Sequence, residues 1–373
     1  MNDKIKNIVN IALSTTLILA LTLFAWLKPL DSYSETERRG LAQFPELSFK
    51  TLANGKFMGN FEDYATDQFP LREQFRTLKA FTRLNVFNQK DNNDIYEVDG
   101  FISKTNYPLK ERSINIVANK FKTIYDTYLK DNNTNVYLAL IPDKNKFLAD
   151  EVGAPKLDYD YFKNQLKNKT SDFLTFIDIY DLLERDDYYK TDTHWRQEKI
   201  YDVAQRIALT MGVELKAEYT STKLDNEFRG VYYGQYALPI TPDEIYYMDN
   251  PLFSDCTVMN LEKNVKMPVY NLELGKGRDP YEMFLSGALS LITIDNPNAT
   301  TDKELIIFRD SFSSSIAPYF VEGYSRVTLV DIRYLATSNI GQIFGLNGIS
   351  FENADVLFMY STLVLNESAT LLK

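Results

Sequence analysis

The only histidine of the chain, His194, lies two residues after the carboxylate of Asp192. Histidine is the side chain whose ordinary pKa lets it accept and return a proton near neutral pH. Serine-dependent acyl transfer needs a nucleophile, a histidine base and a carboxylate that orients the base. The segment Tyr188–Trp195 therefore holds candidates for two of the three roles, although a lone histidine beside a tryptophan is also compatible with packing or with a surface loop.

A serine in the last third of the chain, Ser311, is the candidate nucleophile. It follows an apolar run at 304–308 that predicts a strand, and it precedes a predicted helix at about 313–321. In an open parallel sheet, reactive groups gather at the carboxyl ends of the strands. Backbone N–H groups at the start of the helix could receive an oxyanion. The alternative is that Ser311 only caps this helix, because serine favours that position.

The composition argues against several classes of function. The net charge of -10 and the pI near 4.9 argue against nucleic-acid binding, since no basic stripe could displace counterions from phosphates. With one cysteine, Cys256, the chain has no intramolecular disulfide, Cys-x-x-Cys metal site or redox pair. A zinc site built on His194 and carboxylates would have a poor ligand set. We therefore predict neither a metal nor a cofactor.

The amino-terminal segment 8–27 carries no charge and has the length needed to cross about 30 Å of hydrocarbon. Trp26 stands where an interfacial anchor would lie, and no clear cleavage site of a signal peptide follows. We predict that residues 1–30 form a cytoplasmic tail and an uncleaved transmembrane anchor. The basic residues on its two sides are too evenly balanced to set the orientation; they are Lys4 and Lys6 before it and Lys28, Arg38 and Arg39 after it.

The rest of the chain divides by composition and periodicity. Residues 31–93 are predicted to form a polar stalk and an amphipathic helix at about 71–88, whose apolar residues recur at helical spacing. Residues 94–373 are predicted to form the main domain, with an insertion of small strands and loops at about 215–300. The first half of that domain is predicted to contain a hairpin at 94–103, strands at 135–142 and 173–180, and helices at about 110–130 and 196–211.

Strands and helices alternate in the last third of the chain. Strands are predicted at 304–308, 326–331 and 354–360, with helices at about 313–321 and 334–346 between them. Apolar runs of this length separated by helices indicate strands that are buried on both faces. The predicted fold is therefore α/β, with a parallel sheet and helices on both of its faces.

Two short motifs resemble those of a known family. The run Thr191-Asp192-Thr193-His194-Trp195, followed later by Arg309-Asp310-Ser311-Phe312, resembles the DHHW protein family, which is related to the SGNH-like alginate O-acetyltransferases of the periplasm. Further agreement comes from the segments 54–57, 67–72, 141–144 and 330–334, so that the resemblance spans nearly the whole chain after the anchor. Thr193 departs from the family name, Asp-His-His-Trp, but it matches the version in the alginate enzymes, and its side chain is expected to point away from the pair.

The resemblance implies an SGNH-hydrolase-like catalytic domain with a triad of Asp192, His194 and Ser311. By this likeness Ser311 is the nucleophile, His194 the base and Asp192 the residue that orients the imidazole. The Ser311 amide and a second donor would hold the oxyanion, and Asp310 is expected to start the helix. Candidates for the second donor or for substrate contacts are Arg309, Tyr360, Lys144 and Trp195. Arg309 could equally be a surface or ion-paired residue, and Lys144 could equally be a solvated loop lysine.

The implied function is that of a membrane-anchored O-acyltransferase, transferring an acetyl group to a cell-surface polysaccharide, with its body outside the cytoplasm. The resemblance also implies a membrane-bound O-acyltransferase as the partner that supplies acyl groups. A carbohydrate acyl esterase, and a non-catalytic glycan-binding or scaffold protein of the envelope, remain as alternatives. A metal-dependent hydrolase on Asp192 and His194 is disfavoured, because there is no second histidine.

Overall fold

A computed structural model of the protein describes residues 3–132 and 134–371. The chain forms two compact units. The amino-terminal unit comprises Met1–Asn93 and Tyr233–Pro239, and the central unit comprises Asp94–Tyr232 and Ile240–Lys373. The division of function between anchor, stalk and catalytic domain stays a prediction.

The amino-terminal unit begins with a long apolar helix, α1 (Asp3–Leu27). Its 25 residues have a mean hydropathy of 2.1 over the most apolar window, and none of that window is buried. Among the described residues, α1 is the one helix long and apolar enough to cross a membrane, by its length and composition.

The rest of this unit consists of short elements. They are β1 (Tyr33–Ser34), β2 (Arg39–Gly40), α2 (Phe49–Ala53), α3 (Lys56–Asp67) and α4 (Arg72–Phe81), which a π-helical turn extends over Thr82–Val86. The strands β1 and β2 pair antiparallel. Arg39 donates from both of its terminal guanidinium nitrogens, Nη1 and Nη2, to the carboxylate of Asp67, at 2.8 and 2.6 Å. The Ala42 amide donates to the same carboxylate. The segment predicted as a polar stalk is therefore tied to the end of α3.

The central unit contains twelve further strands and most of the remaining helices. Its strands are β3 (Ile95–Val98), β4 (Phe101–Lys104), β5 (Asn135–Ile141), β6 (Thr175–Ile177), β7 (Thr220–Phe228), β8 (Asp243–Asp249), β9 (Thr257–Asn260), β10 (Val265–Met267), β11 (Leu291–Asp295), β12 (Glu304–Arg309), β13 (Arg326–Val330) and β14 (Asp355–Ser361). The helices that follow along the chain are α5 (Glu111–Ile124), α6 (Asn145–Val152), α7 (Tyr159–Thr170), α8 (Tyr201–Thr210), α9 (Val231–Tyr236), α10 (Leu272–Gly275), α11 (Ser313–Phe320), α12 (Ile340–Leu346) and α13 (Thr362–Asn366). All of them belong to the central unit except α9, which continues from it into the segment Tyr233–Pro239 of the amino-terminal unit.

Eight strands form the central sheet, in the order β10-β9-β11-β13-β12-β14-β5-β6. The five strands from β13 to β6 run parallel, and β11, β9 and β10 extend the sheet antiparallel. Alternate residues of β12 enter different apolar clusters: Leu305 and Ile307 join one, and Ile306 and Phe308 the other. The sheet is thus covered on both faces, which confirms the predicted α/β fold class.

The antiparallel edge of the sheet differs from the prediction. The segment 215–300 was expected to be an insertion of small strands, but only β7 and β8 form a separate ribbon, while β9, β10 and β11 join the central sheet. These strands are short and partly polar, and β11 pairs with β13 more than thirty residues away. Such non-local pairing leaves little signal in the local sequence.

The carboxyl ends of the parallel strands carry a buried polar network. Asp310, just after β12, accepts hydrogen bonds from the amide and the hydroxyl of Ser361 at the end of β14, both at 2.7 Å. Asp143, after β5, accepts one from the Thr362 hydroxyl at 2.7 Å. These contacts fix the turns that follow β12, β14 and β5 relative to one another.

Candidate active site

The loop around His194 folds back on itself. Tyr188 and Trp195 form an isolated antiparallel bridge, and the Tyr189 amide donates to the His194 carbonyl at 3.1 Å. The reversal brings Oδ1 of Asp192 to 2.6 Å from Nδ1 of His194, and the same oxygen accepts from the His194 amide at 3.1 Å. The spacing of two residues thus places the carboxylate against the ring.

The other ring nitrogen of His194 faces Ser311. Its Nε2 lies 2.7 Å from Oγ of Ser311, which sits in the turn between β12 and α11. The side chain of His194 is 12% exposed, Ser311 is half-buried and Asp192 is buried. The three predicted residues therefore form a continuous hydrogen-bonded chain from the buried Asp192 carboxylate to the half-buried Ser311 hydroxyl. Such a hydrogen-bonded chain can move a proton from Oγ to Nε2 while the carboxylate stabilises the imidazolium.

The side chain of Lys144 binds backbone carbonyls of the loop that carries Asp192 and His194. Its Nζ donates to the carbonyls of Tyr189, Lys190 and Asp192 at 2.6, 3.0 and 2.8 Å. Burial lowers the pKa of Lys144 to about 7, opposed by the charges of Asp243 and Asp192. Three acceptors match the three N–H donors of an ammonium group.

The sequence predicts Lys144 either as a glycan contact in the cleft or as a solvated loop lysine. The burial of its side chain shows that both predictions are wrong. The side chain is only 2% exposed. Lys144 does follow the carboxyl end of a parallel strand, where reactive groups are expected. This expectation concerns the backbone only, and it does not predict that the long side chain will turn inward toward a cluster of carbonyls.

The carboxylate of Asp243 binds backbone amides of the same loop. Its carboxylate accepts from the amides of Lys190 and Thr191 at 2.6 and 2.7 Å, and from the Thr191 hydroxyl at 2.6 Å. Burial raises the pKa of the Asp243 carboxyl, and these donors counter that rise. Asp243 lies 52 residues after Thr191 in the chain, so that no sequence motif connects the two.

The second oxygen of the Asp192 carboxylate is bound from α9. Oδ2 accepts the Val231 amide at 2.8 Å, and the neighbouring Gly230 amide donates to the Thr191 hydroxyl at 2.8 Å. A Cβ at Gly230 would lie 2.3 Å from Cβ of Asp192. Only glycine therefore allows the backbone to approach the triad carboxylate this closely.

An aromatic side chain that the sequence did not single out covers His194. The ring of Tyr281 stacks on the imidazole at a centroid distance of 3.8 Å and an angle of 7°, and Phe312 packs at 4.9 Å. The Tyr281 hydroxyl is within 2.9 Å of the Ser315 hydroxyl. Burial raises the pKa of Tyr281 well above its ordinary value, so that it stays a neutral partner. It lies in a segment predicted as an insertion, where one tyrosine among many gives no signal.

Three other predicted contacts with the oxyanion or substrate are buried instead. Trp195 donates from Nε1 to the Phe312 carbonyl at 3.1 Å and to the Ser315 hydroxyl at 3.0 Å. Arg309 donates to the Ser314 hydroxyl at 2.8 Å and to the Leu289 carbonyl at 3.0 Å. Tyr360 packs against Phe121 in the core, with ring centroids 5.6 Å apart. Each of the three is 0% exposed, which corrects their prediction as groups that line the cleft.

Two further residues of the motifs have structural partners. Asp310 accepts from the Phe312 amide at 3.1 Å, as expected for a residue at the start of α11, in addition to its bonds with Ser361. The Thr193 hydroxyl accepts from the Tyr232 hydroxyl at 3.1 Å. Within 3–132 and 134–371, no group of three or more His, Cys, Asp or Glu side chains is arranged to hold a metal ion.

The fold is similar to that of several solved structures. No family model and no curated protein sequence matches the chain. A DHHW family protein from Eubacterium siraeum matches with a TM-score of 0.58 at 19% identity, covering 74% of this chain and 92% of that one. PatB1 from Bacillus cereus matches with a TM-score of 0.59 at 20% identity, covering 73% and 96%.

A weaker match, with a TM-score of 0.45 and 12% identity, is the O-acetyltransferase domain of Pseudomonas putida AlgJ, covering 73% of this chain and 92% of that domain. The first two matches establish a common fold. The resemblance to the DHHW family predicted from the two motifs is thus confirmed at the level of the fold.

Proposed function

We propose that this chain is an O-acyltransferase that transfers an acetyl group to a hydroxyl of a cell-surface polysaccharide. The single observation that carries the proposal is the line Asp192–His194–Ser311, with contacts of 2.6 and 2.7 Å. The motif resemblance to the DHHW family and the shared fold support it. The net charge of -10 favours neutral sugars as acceptors over anionic polymers.

In the proposed mechanism, Oγ of Ser311 attacks the carbonyl carbon of an acyl donor while Nε2 of His194 takes the hydroxyl proton. The negative charge on the carbonyl oxygen is met by the Ser311 amide at the turn into α11. The tetrahedral intermediate breaks its bond to the leaving group, which receives the proton from His194, and an ester on Ser311 remains.

The second half of the reaction runs the same steps with a sugar hydroxyl. His194 takes the proton of this hydroxyl, whose oxygen attacks the ester carbonyl of the acyl-enzyme. The bond to Oγ breaks, and the proton returns to Ser311. Asp192 stays ionised and holds the imidazole ring in the tautomer that has Nδ1 protonated. Water in place of the sugar would make the same protein an esterase.

The function is tested by the acetyl content of the glycan in cells. Deletion of the gene is expected to lower the O-acetyl content of a cell-surface polysaccharide, and a Ser311→Ala copy is expected not to restore it. A rise in acetylation after deletion would instead identify an esterase. Restoration to the wild-type level by Ser311→Ala would identify a scaffold without acyl chemistry.

We further propose that α1 anchors the protein in the cytoplasmic membrane, uncleaved, with the body outside the cytoplasm and with a membrane-bound O-acyltransferase as the supplier of acyl groups. The length and apolar composition of α1 support the anchor. Protease added to intact protoplasts should degrade the body. Full protection of the body, with degradation only after lysis, would contradict this topology.

A further inference from the structure

The helix α4 carries an apolar stripe on its exposed side. Phe75 and Leu78 are 43% and 56% exposed, at the spacing that places them on one face of the helix. Leu71, which directly precedes α4, is 50% exposed and extends this stripe. Ala80, roughly on the opposite face, is fully buried. In an ordinary surface helix the apolar face is the one that packs inward. The amphipathic helix predicted at 71–88 thus exists, but its apolar face is turned outward.

A row of basic residues runs beside this apolar stripe. Arg72, Arg76, Lys79 and Arg83 recur at the same helical spacing, displaced by one residue from the stripe. Arg72 and Arg76 are mostly buried, with side chains 13% and 17% exposed, and they pair with Glu37, Asp67 and Glu73. Arg83 is more exposed and pairs with Asp91. Lys79 is exposed and donates to the Asn93 side chain at 2.8 Å. An apolar stripe with basic residues along its edge is the pattern of helices that lie at a membrane surface.

The apolar stripe begins beside the end of α1. Phe24 and Lys28 line the same surface depression as Phe69, Leu71 and Arg72. Phe24 lies within the apolar segment of α1, three residues before the helix ends. If α1 crosses a bilayer, Leu71 therefore lies close to the depth at which α1 leaves the hydrocarbon. Phe75 and Leu78 continue the stripe from that point.

We propose that α4 lies along the surface of the bilayer that α1 crosses, with its apolar stripe among the acyl chains and the exposed Lys79 near anionic lipid headgroups. This inference rests on the anchoring role of α1 proposed above. The contact would hold the amino-terminal unit against the membrane over an area larger than one spanning helix provides. The occupant of the exposed stripe is lipid, not a second protein.

The test is the collision accessibility of spin labels on the full chain, in vesicles of phosphatidylcholine and phosphatidylglycerol. The chain has a single cysteine, so that Cys256→Ser gives a background without thiols. Labels are placed singly by Leu78→Cys on the stripe and by Thr77→Cys, an exposed neighbour on another face, as the matched control. A third label, by Leu19→Cys, reports on α1.

Lipid contact is expected to make the label at 78 severalfold more accessible to oxygen than to a water-soluble nickel chelate, and the label at 77 the reverse. Equal nickel accessibility at 77 and 78 would overturn the proposal. Protection at 78 from both reagents would overturn it as well, because it would indicate a protein contact. The label at 19 separates the two claims: nickel accessibility there would refute the anchor itself, whereas lipid contact at 19 with water contact at 78 would refute only the role of α4.

Discussion

His194 has a hydrogen-bond partner on each ring nitrogen and an aromatic ring on its face. The carboxylate of Asp192 and the hydroxyl of Ser311 set the plane of the imidazole, and Tyr281 at 3.8 Å limits its tilt. A ring held in this way needs little reorganisation when it accepts a proton. Proton transfer at His194 therefore depends on these contacts acting together.

Removing either end of the proton path should abolish turnover of an activated ester such as 4-nitrophenyl acetate. His194→Ala and Ser311→Ala are each expected to do so without unfolding the protein, and the double variant should be scarcely worse than either single one. Asp192→Asn should lower turnover on the order of 10⁴-fold, by analogy with serine proteases. Losses that add in the double variant would show that the two residues do not share a mechanism.

Lys144 acts on the reaction through the loop that carries Asp192 and His194. Lys144→Met keeps the length of the side chain but removes the donors to three carbonyls. Slight misplacement of His194 should lower kcat on the order of 10²-fold, with KM little changed, and Lys144→Arg should restore part of it. An unchanged kcat in a folded Lys144→Met variant would refute this positioning role.

A substitution at Gly230 tests by steric clash whether turnover depends on the position of Asp192 in this loop. A methyl group at this position would stand 2.3 Å from Cβ of Asp192, so that Gly230→Ala must displace the carboxylate or α9. We expect turnover to fall on the order of 10²-fold. Gly59→Ala is the matched control, because a Cβ there meets nothing within 4 Å. Equal activity of the two variants would mean that the close approach is not required.

At the scale of elements, the end of α3 depends on one ionised carboxyl. Hydrogen bonds from Arg39 lower the pKa of Asp67 from 3.8 to about 2. Because the folded pKa lies below the unfolded one, the stabilisation is complete above about pH 5 and is lost as the pH falls toward 2. The protection factors of the amides near Ala42 and Gln68, which are corrected for the intrinsic pH dependence of amide exchange, should therefore fall over this range.

The control for this pH dependence lies one turn earlier on the same helix. Asp67→Asn should leave the amides near Ala42 with low protection factors at neutral pH, and these factors should be nearly independent of pH between 4 and 2. Asp63→Asn, which changes an exposed carboxyl, should leave the wild-type profile unchanged. A wild-type profile in the Asp67→Asn variant would contradict the assignment of the transition to Asp67.

The elements that the sequence predicts best are the strands that are buried on both faces. The strands at 135–142, 304–308, 326–331 and 354–360 were predicted within a residue or two, because burial on both faces leaves a continuous apolar run. The face of α4 was not predictable, since periodicity shows which residues share a face but not what covers that face. The supports of the triad loop, Asp243 and Tyr281, were missed because their contacts join residues far apart in the chain.

For the whole molecule, the two short motifs predicted the candidate site better than the composition did. Ser311 and His194 are 117 residues apart, and the fold brings them to 2.7 Å. The remaining candidates lie near the carboxyl ends of the strands or in the triad loop, but their side chains are buried: Arg309, Tyr360, Lys144 and Trp195. Whether such a side chain points outward or into the core is decided by packing, which the sequence does not reveal.

The central claim is that Ser311 becomes acylated with the help of His194. The most direct measurement is mass spectrometry of the purified full-length protein after exposure to 4-nitrophenyl acetate without a sugar acceptor. We expect one added acetyl group, located on the peptide that contains Ser311, and no adduct in the His194→Ala variant. An ester that is consumed while Ser311 stays unmodified, or an adduct that forms equally well without His194, would contradict it.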